Sequence, residues 1–273
     1  MPVRNGVGYI EAAIESLVDQ TERDIEIIVS DNASDDGTGD YLRAVAQKDP
    51  RIKYFRQESG LRAYDNFRFV LEKARGEYFM WAAHDDTRDL DFIEKLAAVL
   101  DQDDQVVLAF GDLNIVTPDN PDGTIQHFPF ATTGLNRWSR LRKVSQLQCF
   151  NIYGLWRTNV VRQIPYAYCA WWPDLPMMLS AAYLGEFKHV AGTRFHYFEV
   201  PKSSLDRVKY QDFAVRFHLI SGVAGLIGAT YRACSQIGGI PIGIYAASLV
   251  VLKQALNLPG FIYRRVKLQL TSP

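Results

Sequence analysis

Two adjacent carboxylates, Asp85 and Asp86, end the stretch EYFMWAAHDD, in which mostly apolar residues lead into a histidine and two acids. Like charges this close repel each other, and each carboxylate loses hydration in dry surroundings, so the pair needs a cationic or hydrogen-bonding partner. Carboxylate oxygens are hard ligands that suit Mg²⁺ or Mn²⁺, and these ions commonly bridge protein carboxylates to substrate phosphates. The residues therefore indicate a metal-bound diphosphate as the simplest partner.

Several other kinds of site are disfavoured by the motifs of this chain. The segment NGVGY has two glycines near a predicted helix start, but it does not complete the G-x-G-x-x-G pattern of a dinucleotide site. Neither a P-loop pattern nor the G-x-S-x-G pattern of a hydrolase occurs in the chain. Cys149, Cys169 and Cys234 are far apart and fit no C-x-x-C spacing, which suits a reducing cytosol.

The composition is that of a globular protein and excludes some partners. The 273 residues are 48% hydrophobic and 22% charged, and the formal net charge is -1. This charge gives no global basic field, so we expect no nucleic acid partner. The longest apolar run, Ile240 to Leu252, stops at Lys253 and is too short to span a bilayer. We therefore expect a cytoplasmic protein, with peripheral contact to the inner face of the cell membrane as a further hypothesis.

The elements that must position the carboxylates alternate between helix and strand. Ile10, Ile14, Leu17 and Val18 have helical spacing and predict a helix over about residues 8–20. The predicted strands are IEIIVS, RIKYFRQ, EYFMWAA and QVVLAFGDLNIV, and predicted helices lie between them. This alternation is typical of βαβ units with a mostly parallel sheet, in which ligands sit at the carboxyl ends of the strands. Asp31 and the Asp85–Asp86 pair should therefore face one crevice.

The second half of the chain is less regular. Turn-forming residues from about Thr117 to Ile164 predict an irregular, loop-rich segment at the ligand-binding edge of the sheet. This segment includes the basic piece RWSRLRK. PDLPMMLSAAYLGEF predicts a helix, FKHVAG and RFHYF predict late strands, and two long apolar helices follow from about Val208. At the other end, MPVRNG leads directly into a turn where a strand is expected. Either the first strand is reduced to Met1 to Val3, or the sequence begins downstream of the natural start, and we favour the second.

Two segments carry a resemblance to a known family. PVRNGVGYIEAAIESLVDQTERDIEIIVSDNASDDGT, followed further along by ARGEYFMWAAHDD, resembles the nucleotide-sugar half of glycosyltransferase family 2, closely from Met1 to Asp112 and more weakly beyond. The resemblance implies the α/β GT-A fold, with a mostly parallel Rossmann-like central sheet flanked by helices and a C-terminal helical extension. It implies a catalytic domain over residues 1–205, whose nucleotide-sugar half ends near residue 112 and whose acceptor half covers about 113–205, and a helical segment over 206–273.

The resemblance also implies which residues contact the nucleoside. Pro2, Val3 and Arg4 match the segment that borders the base, although Arg4 stands where the family often has an aromatic residue. Asp31 matches the carboxylate that accepts a hydrogen bond from the base. Taken without the resemblance, Asp31 could equally be a polar residue that ends a strand.

The HDD segment matches the D-x-D region of the family. By resemblance, Asp85 lies near the ribose, Asp86 is the ligand of a divalent metal, Mg²⁺ or Mn²⁺, and His84 replaces the first carboxylate of the motif. The departure at His84 makes Asp86 the main metal ligand. The alternative is that the two aspartates form a solvated turn before the next helix, where negative charge is favourable.

Asp174 is the candidate catalytic residue on the acceptor side. It precedes a predicted helix and matches the acidic motif of family members that invert configuration, in which a carboxylate deprotonates the acceptor hydroxyl. A plain helix N-cap is the alternative for Asp174. Trp171 and Trp172 beside it are candidates for a sugar-stacking platform or for the core.

These residues predict a metal-dependent, inverting glycosyltransferase. The donor would be a UDP- or dTDP-sugar, and the acceptor a hydroxyl of a glycan or lipid-linked glycan in surface polysaccharide biosynthesis. A nucleotidyltransferase and a non-catalytic nucleotide-sugar-binding relative are the alternatives. The basic segment RWSRLRK is a candidate for a solvated helix face or for contact with an anionic acceptor or the diphosphate. The segment FIYRRVKLQL follows an apolar helix and is a candidate for peripheral contact with a membrane surface, for a helical cap on the catalytic domain, or for a homodimer interface.

Overall fold

The computed structural model describes residues 1–126, 130–147, 149–165, 174–199 and 219–253. The chain divides into two compact units, described separately below. The first comprises Met1–Thr133, Phe150–Arg162 and Gly185–Pro201, and the second comprises Gly134–Cys149, Gln163–Leu184 and Lys202–Pro273. The domain boundary predicted at residue 205 stays a prediction. Trp171, Trp172, Cys169 and the FIYRRVKLQL segment lie outside the described residues.

The first unit begins with a three-stranded parallel sheet in the order β1-β2-β3. Its elements are β1 (Pro2–Val3), α1 (Ile10–Val18), β2 (Ile27–Asp31), α2 (Thr38–Lys48), β3 (Ile52–Arg56) and α3 (Ala63–Lys73). The register pairs Val3 with Asp31 and Asp31 with Arg56, so the loops after β1 and β2 emerge side by side at the carboxyl edge of the sheet. The predicted helix over 8–20 is confirmed as α1.

A six-stranded mixed sheet completes the first unit, in the order β4-β8-β6-β9-β5, with β7 also paired to β6. Its strands are β4 (Tyr78–Phe79), β5 (Thr87–Arg88), β6 (Val106–Thr117), β7 (Asn120–Gln126), β8 (Leu155–Arg157) and β9 (Glu186–Phe198). α4 (Phe92–Gln102) and α6 (Thr158–Val161) belong to the same unit, as does a short 3-10 helix (Cys149–Tyr153) from its second residue onward. β6 and β9 pair in parallel, and the other pairs in this sheet are antiparallel.

Three predicted elements differ in extent from the observed ones. Only Tyr78–Phe79 of EYFMWAA is strand, because β4 pairs with β8 at these two residues alone. The turn-rich start of the predicted loop-rich segment folds back as β7, which pairs with the end of β6. FKHVAG and RFHYF are one strand, β9, whose pairing with β6 shifts register between Phe110 and Asp112.

Two clusters of buried apolar side chains form the core of the first unit. One packs α1 and α2 on the parallel sheet, and its members are Met1, Val3, Ile10, Ala13, Ile14, Leu17, Ile27, Val29, Leu42, Ile52 and Ala82. The other packs α4 on the mixed sheet, and its members are Phe92, Leu96, Leu100, Val106, Ala109, Leu113, Leu155 and Phe195. Burial of this apolar surface holds both sheets in the positions from which their edge loops form the site.

The described part of the second unit is helical. It contains α5 (Arg137–Val144), α7 (Asp174–Leu184), α8 (Leu219–Gly238) and α9, which covers residues 240–253. Arg140 fastens α5 to the end of α7, because its guanidinium donates to Ala182 O at 2.7 Å and to Tyr183 O at 3.1 Å. None of the described helices is long and apolar enough to cross a membrane.

Candidate active site

The loops after β1 and β2 are joined by hydrogen bonds from backbone amides of the first to side chains of the second. Gly6 N donates to Thr38 Oγ1 at 2.8 Å, and Val7 N donates to Asp36 Oδ2 at 3.0 Å. Hydrogen bonds from the Thr38 hydroxyl, and more weakly from the Thr38 and Val7 amides, lower the pKa of Asp36. Because the Gly6 and Val7 amides are already satisfied, this glycine-containing turn does not offer them as a phosphate-binding loop, in agreement with its incomplete motif.

Asp31 lies at the end of β2 with a side chain that has no exposed surface. Its Oδ1 accepts from Ser34 N at 2.8 Å, and its Oδ2 accepts from Tyr54 OH at 3.0 Å and from Arg56 Nη1 at 2.6 Å. These internal donors neutralise and hold the carboxylate, which in turn holds the loop after β2. Its predicted contact with a nucleotide base stays a prediction.

Replacing Asp31 with alanine is expected to lower the free energy of unfolding by about 2–4 kcal/mol, because Ser34 N would be left without its acceptor and the bonds from Tyr54 OH and Arg56 to the carboxylate would be lost. Arg56 is 43% exposed, so its charge would remain hydrated. Denaturant unfolding of the wild type, Asp31→Ala and the surface control Asp104→Ala measures the effect. A loss of nucleotide affinity without loss of stability would contradict this supporting role and favour direct base contact.

A third loop, which follows β3, borders the same edge. Asn32 Nδ2 donates to Leu61 O at 2.9 Å and Asn32 Oδ1 accepts from Leu61 N at 2.6 Å, so one side-chain amide holds this loop through both backbone groups. Arg4 is exposed, and a Cβ on Gly60 would lie 3.3 Å from its Nη1. Pro2 and Val3 are buried in β1. Of the predicted base-bordering segment, Arg4 therefore offers its side chain to a ligand.

Asp86 lies in a dry position beside the end of β9. Its side chain is almost fully buried, and its Oδ1 accepts from Phe198 N at 2.9 Å. Burial raises the pKa of Asp86 to about 7, and the Asp85 carboxylate adds to the rise, whereas the bond from Phe198 and the charge of Arg88 oppose it. Asp86 is thus held where its charge is poorly compensated by the protein itself.

Arg88 contributes a buried positive charge behind this carboxylate. Its Nη2 donates to Trp81 O at 3.0 Å, and its guanidinium lies 5.2 Å from the centre of the Phe195 ring. Burial lowers the pKa of Arg88 to about 10, although Asp86 favours its charged form. Among the described residues, its Nε and Nη1 have no hydrogen-bond partner.

The carboxylate pair fits a divalent metal whose other ligands come from outside the protein. Asp85 is partly exposed, with 29% of its side chain accessible, so the pair opens to solvent on one side. The described residues contain no group of three or more histidine, cysteine or acidic side chains that could hold a metal. Mg²⁺ commonly binds through one or two carboxylates together with substrate phosphates and water. This donor set suits such an ion, and a metal would also offset the uncompensated charge of Asp86.

Residues on two other elements enclose the carboxylate pair, and sequence reasoning missed them. Tyr197 precedes Phe198 in β9, and the pKa of its hydroxyl is raised by burial and by the charges of Asp86 and Asp85. The ring of Tyr9, before α1, lies 5.5 Å from the ring of Phe198. No local motif marks these aromatic residues, because the pairing of β9 with distant strands brings them to the site.

His84 packs against the loop after β1. A Cβ added to Gly6 would lie 2.9 Å from His84 Cδ2, so the absence of a side chain at Gly6 permits this contact. His84 Nδ1 lies 4.0 Å from Asp85 Oδ1. The first unit therefore brings Arg4, the loop after Asp31 and the HDD segment to one edge, as the strand order predicts.

Asp174 belongs to the second unit and is the first residue of α7. Burial raises the pKa of its carboxyl to about 6. Groups that accept protons near neutral pH often show such a shift. Its predicted role as the base stays a prediction.

Three curated relatives match part of the chain. An uncharacterized glycosyltransferase of Rickettsia conorii is 32% identical over 42% of this chain and 19% of its own length. Glycosyltransferase GlyG of Streptococcus pneumoniae is 30% identical over 49% of this chain and 42% of its own length. TuaG of Bacillus subtilis, provisionally named as a teichuronic acid biosynthesis glycosyltransferase, is 35% identical over 34% of this chain and 37% of its own. The chain thus spans less than half the length of each of these relatives.

Solved glycosyltransferases share the fold over nearly the whole chain. Residues 1–349 of TarS from S. aureus, in complex with UDP, match 92% of this chain and 86% of that chain, with a TM-score of 0.60 and 17% identity. The mannosyltransferase PcManGT from Pyrobaculum calidifontis, in complex with GDP-Man and Mn²⁺, matches 100% of this chain and 79% of that chain, with a TM-score of 0.52 and 15% identity. These matches confirm the predicted α/β GT-A fold.

The family is shown by the sequence itself. The model of glycosyl transferase family 2 matches residues 1–155, more than half of the chain, and this segment contains Arg4, Asp31, Asp85 and Asp86. The chain therefore belongs to glycosyl transferase family 2.

Proposed function

We propose that this protein transfers a sugar from a nucleoside-diphosphate sugar to a hydroxyl group of a glycan or lipid-linked glycan, with inversion at the anomeric carbon. The observation that carries the proposal is the Asp85–Asp86 pair in a family 2 chain, at the edge where the loops after β1 and β4 meet. Asp86 is buried with a raised pKa, as expected for a carboxylate that is completed by a cation. A role in surface polysaccharide biosynthesis is supported by the similarity to TuaG.

The donor is proposed to be a UDP- or dTDP-sugar bound at the carboxyl edge of the parallel sheet. TarS structures contain UDP or UDP-GlcNAc, and the PcManGT structure contains GDP-Man, so related folds accept this class of ligand. Arg4 is exposed beside the loop after β3 and can contact the base or a phosphate. Asp31 holds the loop after β2, while Asp85, which is partly exposed, is the proposed partner of the ribose.

Asp86, with Asp85 near it, would hold Mg²⁺ or Mn²⁺. When bound, the metal supplies positive charge that offsets the negative charge of the departing diphosphate. The protein's part is to hold Asp86 by the Phe198 amide and to exclude water from it. The metal found with PcManGT supports this choice of cofactor for the fold.

The proposed reaction is a single displacement. The acceptor oxygen forms a bond to the anomeric carbon as the bond from that carbon to the diphosphate oxygen breaks, and the nucleoside diphosphate leaves with the electron pair. The proton of the acceptor hydroxyl passes to Asp174, whose carboxyl has a pKa of about 6 and is largely ionised at neutral pH.

Nucleotide binding is expected to be selective and to depend on metal. With UDP or dTDP at about a hundred times its dissociation constant and Mn²⁺ present, the melting temperature should rise by about 5 °C or more, because a ligand of the native state stabilises it by mass action. A thermal-shift screen of nucleoside diphosphates and nucleotide sugars, with Mn²⁺ or with EDTA, measures this. Equal shifts with and without metal, or none with any nucleotide, would contradict the proposed donor site.

The released product separates the proposal from its alternatives. A glycosyltransferase releases a nucleoside diphosphate, whereas a nucleotidyltransferase releases pyrophosphate. Nucleotide binding without donor hydrolysis, and without transfer to any acceptor, would instead favour a non-catalytic nucleotide-sugar-binding relative. Chromatography of the products formed from the donors selected in the thermal-shift screen distinguishes the three.

A further inference from the structure

An apolar stripe runs along the solvent side of α9 in the second unit. Ile240, Ile244, Val251 and Leu252 have 62%, 58%, 49% and 56% of their surface exposed. At about 100° per residue, these four fall within an arc of about 120° around the helix. The opposite side is buried and contains Ile242, Ala246, Leu249 and Val250. An exposed apolar stripe on an otherwise packed helix marks a surface that meets an apolar environment.

The helix α5 lies alongside this stripe and adds an aromatic and a basic group. The ring of Trp138 contacts the ring of Tyr245 edge-on at 4.9 Å, and Lys253 Nζ donates to Leu147 O at 2.9 Å. Trp138 precedes Leu147 along the chain, and their partners Tyr245 and Lys253 follow in the same order. The two segments therefore run side by side in the same direction. Trp138 is 44% exposed, and Arg142, one turn further along α5, is exposed too.

Charge is segregated in this part of the chain. The formal net charge of the whole protein is -1, with 31 acidic residues, yet no aspartate or glutamate occurs after Asp212. This segment includes α8 and α9, and α5 likewise contains no acidic residue. The basic residues of these three helices are Arg137, Arg140, Arg142, Lys143, Arg232 and Lys253. The apolar stripe is therefore accompanied by positive charge, which favours an anionic partner.

We propose that the face formed by the exposed side of α9 and the adjoining side of α5 binds the surface of a membrane that contains anionic phospholipids. The stripe would lie among the acyl chains near the headgroups, Trp138 at the level of the headgroups, and Arg142 near their phosphates. A second copy of the chain is a poorer occupant, because a two-fold interface would place the basic α5 against its own copy. The proposal goes beyond the transfer reaction and can be measured without it.

Co-sedimentation of the full chain with vesicles tests the proposal. The vesicles are phosphatidylcholine alone or phosphatidylcholine with about one third phosphatidylglycerol. We expect the wild type to partition onto the anionic vesicles at least about tenfold more strongly than onto the neutral ones, and less at high salt. Ile244→Asp should weaken this binding at least about tenfold, because an ionised group would have to enter the apolar layer. Arg142→Glu should weaken it about five- to thirtyfold on anionic vesicles only.

Ile125→Asp is the matched control, since Ile125 is 42% exposed on β7 in the first unit and should tolerate the change without loss of vesicle binding. No vesicle binding by the wild type, or equal loss in Ile125→Asp and Ile244→Asp, would overturn the proposal. So would concentration-dependent self-association that Ile244→Asp abolishes in the absence of vesicle binding. UDP binding, measured by thermal shift on the same samples, should be unchanged in all variants, which separates failure of this proposal from failure of the donor site.

Discussion

Asp86→Asn is expected to lower sugar transfer at least about a thousandfold while leaving the fold intact. Asparagine keeps an oxygen that can accept from Phe198 N, so the end of β9 should remain in place. It lacks the negative charge that holds a divalent cation, and the departing diphosphate would lose its counter-charge. Initial rates with a radiolabelled donor, measured over a range of Mn²⁺ concentrations, give the size of the effect.

Asp104→Asn is the matched control, because Asp104 is 95% exposed and the same substitution there should leave transfer unchanged. Circular dichroism of both variants checks the fold. Near-normal transfer by Asp86→Asn at saturating Mn²⁺ would show that the metal is held elsewhere or that none is needed.

Although Asp86→Asn should lower activity, the same substitution is expected to raise stability near neutral pH in the absence of metal. In the metal-free wild type, the pKa of Asp86 is raised from 3.8 to about 7 in the folded state, so the folded protein binds a proton that the unfolded chain releases. Stability should therefore fall as the pH rises from about 4 through about 7, and asparagine has no such cost. In EDTA, the melting temperature of Asp86→Asn relative to that of the wild type should increase between about pH 5 and pH 8. A decrease of this relative melting temperature over the same pH range would mean that the protein itself stabilises the charge of Asp86.

Asp174→Asn is expected to reduce kcat by about a hundredfold to ten-thousandfold with little change in donor affinity, because the acceptor proton would have no base to receive it. The pKa of Asp174 is raised to about 6, so wild-type activity should rise as the pH increases through about 6 and level off above it. The variant should lose this limb of the profile. Steady-state rates from about pH 5 to pH 8, with donor binding followed by thermal shift, measure both effects.

Asp174→Glu separates a catalytic role from a helix-starting role. Glutamate keeps the negative charge at the start of α7, which is favourable there, but moves the carboxylate by one methylene group. If Asp174 only supports the helix, Asp174→Glu should be as active as the wild type. If it is the base, Asp174→Glu should lose much of the activity and keep the melting temperature.

The fold of the first half could be predicted because its signals are local. The spacing of Ile10, Ile14 and Leu17 predicts α1, and these residues are buried in it as expected. Strand lengths could not be predicted in the same way, since a strand extends only as far as its partner. EYFMWAA is mostly apolar, yet β4 stops at Phe79, where its ladder with β8 ends. The turn residues near Thr117 form a hairpin because β6 offers an edge to β7.

Some residues of the candidate site could likewise be predicted from local sequence, and others could not. Asp85 and Asp86 could be chosen from their position after an apolar segment and from the family motif. The partners of Asp31 could not, because Tyr54 and Arg56 reach it from β3 through the parallel register. The neighbours of the basic segment RWSRLRK could not be predicted either, because Trp138 meets Tyr245 only through the packing of α5 beside α9.

The sequence by itself determined the α/β alternation, the family, and the presence of two acids after an apolar segment, because periodicity and short motifs are properties of neighbouring residues. Only the tertiary structure decided what surrounds those acids. Phe198 N donates to Asp86 although 112 residues of chain separate them, and the ring of Tyr9, near the start of the chain, packs on the ring of Phe198. The physical reason is that strand pairing between distant segments sets the burial of Asp86, and burial sets its charge.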